Sequence, residues 1–231
     1  MLAALILMNI LLAPQVSVAE EPLSVIEIAG RLQEKYEKTT SIKADFIQRT
    51  MITLNKRERR GSGSMIIQKP GKMRWDYTLP AEQVVLCDGE KIYMYFAKER
   101  QMVVAPASGY IESDVTYSFF SGSGDLLRDF DVFSPDKHVE QVSESKGEIT
   151  REDLLSDDQY LIKLVPKKPH PQVDFIHAWL FKDTFLINRL QIVDLFGSIT
   201  DFHFTRLEVN VPVDADAFEF TPPPGTEIIE N

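Results

Sequence analysis

The chain has 231 residues, 44% of them hydrophobic and 26% charged, and a formal net charge of −10. That length and balance fit a globular protein of one large or two small domains. An acidic excess with scattered positive charges excludes nucleic acid as a partner and counts against chain-wide attraction to anionic lipid, and a lone cysteine, Cys87, excludes an internal disulfide.

Residues 2–13, LAALILMNILLA, form an apolar run too short to cross a bilayer comfortably. Pro14 and the small residues Ser17 and Ala19 follow, then Glu20. The pattern reads as a cleavable secretory signal peptide over residues 1–19, without the usual basic start. It places the remainder, 20–231, outside the cytoplasm as one domain. Cys87 lies far from that cleavage point, so no cysteine is expected at the mature N-terminus to carry a lipid.

Ser24, with Glu27 three residues on, forms a capping box. Val25, Ile26, Ala29, Leu32 and Tyr36 recur at helical spacing behind it, which predicts an amphipathic helix. From residue 42 the period becomes two. Strands are expected at 42–54, 60–69, 72–78, 82–88, 91–96 and 100–105, punctuated by Gly61-Ser62-Gly63, Pro70-Gly71, Leu79-Pro80 and Asp88-Gly89. Links this short make an antiparallel meander. The basic run Lys56 to Arg60, interrupted by Glu58, reads as a solvated hairpin turn.

A short helix is expected over 113–120, a break at Gly122-Ser123-Gly124, and a helical turn from Asp125. Strands resume at 130–133, 159–166, 175–182, 185–194, 199–210 and 217–220, with a polar, acidic loop over 134–158. The expected fold class is mainly β (α+β): one domain of many antiparallel strands with a few helices attached, and no repeat in the 20–50-residue range.

Chemistry is hard to find. His138, His170, His177 and His203 show no metal-binding spacing, and no nucleophile elbow, phosphate loop or dinucleotide fingerprint is present. Asp201 and His203 share one face of a strand, but an outer strand face normally carries such pairs in solvent. Cys87 sits in an apolar strand and reads as a buried structural thiol. No catalytic residue, metal or cofactor is expected.

What the sequence does offer is apolar strand faces. Met73, Trp75 and Tyr77 share one face, as do Met65 and Ile67, Ala44 and Phe46, and Phe202 and Phe204. Val85, Tyr93, Tyr95, Trp179 and Leu190 add to an aromatic-rich inventory that includes 14 Phe. Two readings stay open at this level: a closed core, or a wall that receives an acyl chain.

The stretches "IKADFIQRT", "GSGSMIIQKPGKMRWDYTLP", "QVVLCDGEKIYMY", "DLFGSITDFHF" and "LEVNVPVDADAFEFTPPPGTEII" resemble the periplasmic outer-membrane lipoprotein carrier family, LolA, in order from about residue 23 to 229. The resemblance implies an incomplete antiparallel β-barrel covered by a helical lid, and binding rather than catalysis. It implies an acyl cavity built from Phe46, Met65, Ile67, Met73, Trp75, Val85, Tyr93, Tyr95, Trp179, Leu190, Phe202 and Phe204. The lid would contribute Tyr117, Phe119, Phe120, Leu126 and Leu127. Lys69 stands where the best-studied members carry a lid-locking arginine, and an ammonium cannot make the planar set of bonds a guanidinium makes. The implied partners are acylated lipoproteins as cargo, an inner-membrane release complex and an outer-membrane receptor lipoprotein; a monomer is expected. A lipid- or lipoprotein-sensing regulatory module, or a carrier of another envelope lipid, would fit the same fold.

Overall fold

The computed structural model describes residues 22–108, 125–134 and 157–230. The first helix, α1 (Val25–Glu37), begins as its capping box requires: Ser24 Oγ accepts from the Glu27 N–H at 3.3 Å, and Glu27 Oε2 accepts from the Ser24 N–H at 2.8 Å. Ile28, Ala29, Leu32 and Tyr36 form its buried stripe, while Ile26 is exposed and so does not belong to that stripe. The meander follows as β1 (Ser41–Ile52), β2 (Arg57–Gln68), β3 (Lys72–Leu79), β4 (Gln83–Cys87), β5 (Lys91–Phe96) and β6 (Gln101–Pro106). The turn at Asp125 is present as α2 (Leu126–Asp129), with the Asp125 carboxylate accepting the Arg128 N–H at 2.9 Å. The helix expected over 113–120 and most of the 134–158 loop lie outside the described residues.

The second half contributes β7 (Phe130–Phe133), β8 (Gln159–Pro166), β9 (Phe175–Phe181), β10 (Ile187–Val193) and β11 (Ile199–Val209). Of the strand expected at 217–220, Ala217 and Phe218 end a 3-10 turn, Ala215–Phe218, and Glu219 and Phe220 have no regular structure; the last strand, β12, is Glu227–Glu230. The reason is local. Pro222, Pro223 and Pro224 follow after Thr221, and proline cannot donate to a sheet ladder.

The twelve strands of the described residues join one sheet in the order β12-β6-β5-β4-β3-β2-β1-β11-β10-β9-β8-β7. Every pairing is antiparallel except β12 on β6, which is parallel and became possible only because the 210–226 segment crosses back over the sheet. Among the described residues the sheet runs from β12 at one edge to β7 at the other without closing, which makes it an open half-barrel. Gly63 is required in it: a Cβ there would stand 1.9 Å from the Asp76 carbonyl oxygen, where β2 and β3 approach at a register shift.

Each strand divides its residues between two faces, and both faces are covered over β3–β6. The inner face carries the main core with α1 and Leu126. The outer face carries a second core of Val84, Leu86, Tyr95, Met102 and Val104, on which Phe220 packs. The chain that leads into β12 is fastened there. Arg74 Nη1 donates to the Ala217 and Glu219 carbonyls at 3.0 and 3.3 Å, and Arg100 Nη2 donates to the Pro224 carbonyl at 3.1 Å. Residues 84–95 lack clean alternation because this C-terminal strap buries their second face.

Candidate functional site

The inner face is built strand by strand. In β1, Ala44 and Phe46 point inward, opposite Met65 and Gly63 of β2. In β3, Met73, Trp75 and Tyr77 share the face, with Val85 of β4 opposite Trp75. From the other side come Phe202 and Phe204 of β11 and Leu190 of β10. Opposite Gly63, the Phe46 ring meets Trp75 and Tyr77, each at 4.8 Å between centroids and both edge-on. Trp75 lies 5.7 Å from Phe202 and 6.3 Å from Phe204, which stack on each other at 6.0 Å and 3°. Five rings from three strands thus form one continuous wall, held by edge and offset contacts that aromatic quadrupoles favour.

Along β1 the inward face changes character. Beyond Phe46 come Gln48 and Thr50, which Tyr77 and Thr200 engage: the Tyr77 hydroxyl donates to Gln48 Oε1 at 2.9 Å, and the Thr50 and Thr200 hydroxyls lie 3.2 Å apart. The wall therefore grades into a neutral polar rim toward the β1–β2 turn. At the opposite end α1 closes over β7 and β8, and its Tyr36 hydroxyl accepts the Ile187 N–H at 3.3 Å. Burial pushes the Tyr36 phenol well above its ordinary pKa.

Nine of the twelve residues expected to form the cavity lie on this inner face: Phe46, Met65, Ile67, Met73, Trp75, Val85, Leu190, Phe202 and Phe204, all buried. The other three, Tyr93, Tyr95 and Trp179, face outward, contrary to expectation. Tyr93 and Tyr95 belong to the outer face, because Ile92 and Met94 take the inward positions of β5. The Tyr95 ring packs 5.2 Å from Phe220, and the Tyr93 hydroxyl donates to Asp88 Oδ2 at 3.0 Å. Trp179 is fully buried but also outward, since Ala178 and Leu180 are the inward residues of β9. Apolar character alone does not reveal facing when both faces of a strand are covered.

Trp179 has a partner that no spacing in the sequence announced. The Arg189 guanidinium lies 4.3 Å over its ring and forms a two-pronged ion pair with Asp201, at 2.9 and 2.5 Å. Asp201 is thus a buried structural carboxylate, contrary to its expected place in a solvated surface pair; His203 Nε2 stands 3.5 Å from it. His177 Nδ1 contacts Gln191 Oε1 at 3.2 Å in the same buried layer. Cys87 is buried, as a structural thiol should be. Among the described residues, no cluster of three or more His, Cys, Asp or Glu side chains could hold a metal ion.

Of the expected lid residues, Leu126 is buried in the main core and Leu127 is partly exposed, with its N–H donating to Gln33 Oε1 of α1 at 3.3 Å. Tyr117, Phe119 and Phe120 lie outside the described residues. Lys69 is half-buried and its ammonium donates to the Tyr36 carbonyl. It therefore caps the last turn of α1, where a cation meets the negative end of the helix. Burial lowers the Lys69 pKa, and Glu37 partly offsets that.

An open half-barrel with an aromatic inner wall, a helix laid over one end and a strap across its back defines a class of curved-sheet proteins suited to apolar ligands. Comparison narrows the class. Residues 37–146 match the family model described as "Outer membrane lipoprotein carrier protein LolA". The outer-membrane lipoprotein carrier protein of Methylococcus capsulatus is 27% identical over 202 residues, covering 87% of each chain. That of Chromohalobacter salexigens is 29% identical over 204 residues, covering 87% of this chain and 86% of its own. The crystal structure of an uncharacterized conserved protein from Thermus thermophilus shares the fold at a TM-score of 0.53, with 9% identity, over 89% of this chain and 98% of that one. The chain is thus similar to the LolA family model over residues 37–146 and to outer-membrane lipoprotein carrier proteins over most of its length.

Proposed function

We propose that this protein is a periplasmic carrier that holds the acyl chains of lipoproteins against its inner aromatic wall and moves them from the inner to the outer membrane. The observation that carries the reading is the five-ring wall of Phe46, Trp75, Tyr77, Phe202 and Phe204 on one face of an open sheet. Each buried methylene gains about 0.8 kcal/mol, so a dozen of them leave water at a gain of ~10 kcal/mol. A wall of rings offers that value without fixed hydrogen bonds, so cargo can also be released. The wall is occupied by its own side-chain contacts here, and acyl entry exchanges those for contacts with cargo. The relatives' name, lipoprotein carrier, supports the same reading.

In this reading residues 1–19 are a leader that directs export, and residues 20–231 act as one unit. Cargo comes from a release complex at the inner membrane and passes to a receptor lipoprotein at the outer one. The protein binds and releases without catalysing. The only cysteine, Cys87, is buried in β4, which suits a soluble shuttle rather than a lipid-anchored receptor.

The test incubates protein beginning at Glu20 with one lipoprotein, acylated or unacylated, and resolves the mixture on a sizing column. Co-elution with the acylated form alone is expected. Co-elution with extracted free lipid but with neither lipoprotein form would make it a carrier of another lipid. Failure to retain any apolar ligand would reduce the wall to a core.

A further inference from the structure

Two hairpin tips stand together at the polar-rim end of the inner face. The β1–β2 turn, residues 53–56, and the β10–β11 turn, residues 194–198, are tied by two bonds: Thr53 Oγ1 donates to the Gly197 carbonyl at 2.6 Å, and the Thr53 N–H donates to Ser198 Oγ at 3.3 Å. These tips carry the most exposed large apolar side chains at this end: Leu54 at 89%, Phe196 at 76% and Leu195 at 59% exposure. From the tip, Lys56 to Arg60 adds four cations against one carboxylate, Glu58, which Arg49 and Arg60 share at 2.9 and 2.5 Å.

We propose that this paired tip is a docking surface for an anionic phospholipid bilayer, with Leu54, Leu195 and Phe196 entering the interface and Lys56, Arg57 and Arg59 meeting the headgroups. Three observations favour a bilayer over a protein partner. The apolar side chains sit on two hairpin turns and are more than half exposed. The charge complements anionic lipid locally, although the chain as a whole is acidic. Several backbone groups of the 194–198 turn are already satisfied within the protein, which lowers the cost of leaving water. Asp194 Oδ1 accepts the N–H groups of Phe196 and Ser198 at 2.8 Å each, and the Gly197 N–H donates to the Asp194 carbonyl at 2.9 Å.

Position gives the surface a use. The inward residues of β1 run from Phe46 through Gln48, Thr50 and Ile52 into the tip, and β2 brings Arg59 and Arg57 opposite the last two. A tip seated on a membrane would therefore bring the open end of the aromatic wall within roughly 23 Å of it, seven residues of strand. This use rests on the carrier reading, but docking itself does not.

The test is flotation of cargo-free protein, beginning at Glu20, with vesicles of phosphatidylethanolamine containing or lacking phosphatidylglycerol. An apolar leader binds vesicles by itself, so residues 1–19 are left off. Flotation is expected to rise with phosphatidylglycerol and to fall when salt is raised from about 0.1 to 0.5 M, as exposed charges are screened. Leu54→Glu/Phe196→Glu should lower the partition coefficient at least tenfold with an unchanged thermal melt, because both side chains are largely outside the fold. Arg57→Glu/Arg59→Glu should lower it about as much. Wild type that stays in buffer at every composition, floats equally without phosphatidylglycerol, or floats undiminished in the Leu54/Phe196 variant would overturn the proposal. The vesicles contain no lipoprotein, so that failure leaves the column experiment with acylated cargo standing on its own.

Discussion

Arg189 and Asp201 place two opposite charges in the outer layer of β10 and β11, with side-chain exposures of 4% and 9%. Both oxygens of Asp201 are engaged and the guanidinium plane is covered by Trp179, so neither charge can be relieved by water if its partner is lost. Asp201→Ala or Arg189→Ala is expected to cost about 3–5 kcal/mol in a urea titration, the range for orphaning a buried charge. Arg189→Met/Asp201→Leu should lose less than either single change, and the double-mutant cycle gives the coupling. A second residue-scale effect depends on pH. Asp88 is partly buried, which alone would raise its pKa, but it accepts N–H groups of Lys91 and Glu90 at 2.8 Å and the Tyr93 hydroxyl at 3.0 Å, and the net shift is downward. A folded pKa below the unfolded value near 3.9 means stability fully present above that value and lost as pH falls through the lowered one. Asp88→Ala should therefore lower the denaturation midpoint at pH 7 and flatten its decline between about pH 4 and 2. Gly89, at φ +106°, keeps this turn in a conformation other residues rarely adopt.

At the scale of elements, the strap formed by residues 210–226 decides whether the meander can be apolar on both sides. Phe218 is 4% exposed at the 3-10 turn, and the Lys72 ammonium lies 5.6 Å over its ring. Phe218→Ala should cost about 3–5 kcal/mol by truncating a buried ring, with increased binding of an environment-sensitive dye as Val84, Leu86 and Tyr95 become accessible. The strap also marks the limit of what the residues reveal by themselves. Eleven strands follow from period-two patterning and turn residues, because Asp88-Gly89 and Pro70-Gly71 punctuate them where the chain must reverse. The inner wall was legible where one face is plainly apolar, as in Met73-Arg74-Trp75-Asp76-Tyr77. It was not legible in β5 or β9, where both faces are buried and the alternation that reports direction is gone. Phe-Glu-Phe at 218–220 has the spacing of a strand, yet the prolines after it turn the segment into a cover. The ion pair joins Arg189 and Asp201, twelve residues apart on neighbouring strands, and pairing of that kind is set by register, which local pattern does not contain.

Taken as a whole, the molecule has two faces that carry one tryptophan each, and these are its only two. Trp75 stands in the inner wall among Phe46, Phe202 and Phe204, while Trp179 lies outward against Arg189. A ligand that enters the wall must disturb the surroundings of the first and leave the second packed between its guanidinium and the sheet. Intrinsic fluorescence can therefore localise acyl binding without a label. Trp179→Phe is expected to keep the full emission change on titration with acylated lipoprotein, and Trp75→Phe to abolish that change while still co-eluting with cargo, because a ring of similar apolar character remains in the wall. Equal changes from both tryptophans would mean that the sheet rearranges through its thickness. A response confined to Trp179 would place the acyl chain on the outer face and remove the inner wall from the binding site.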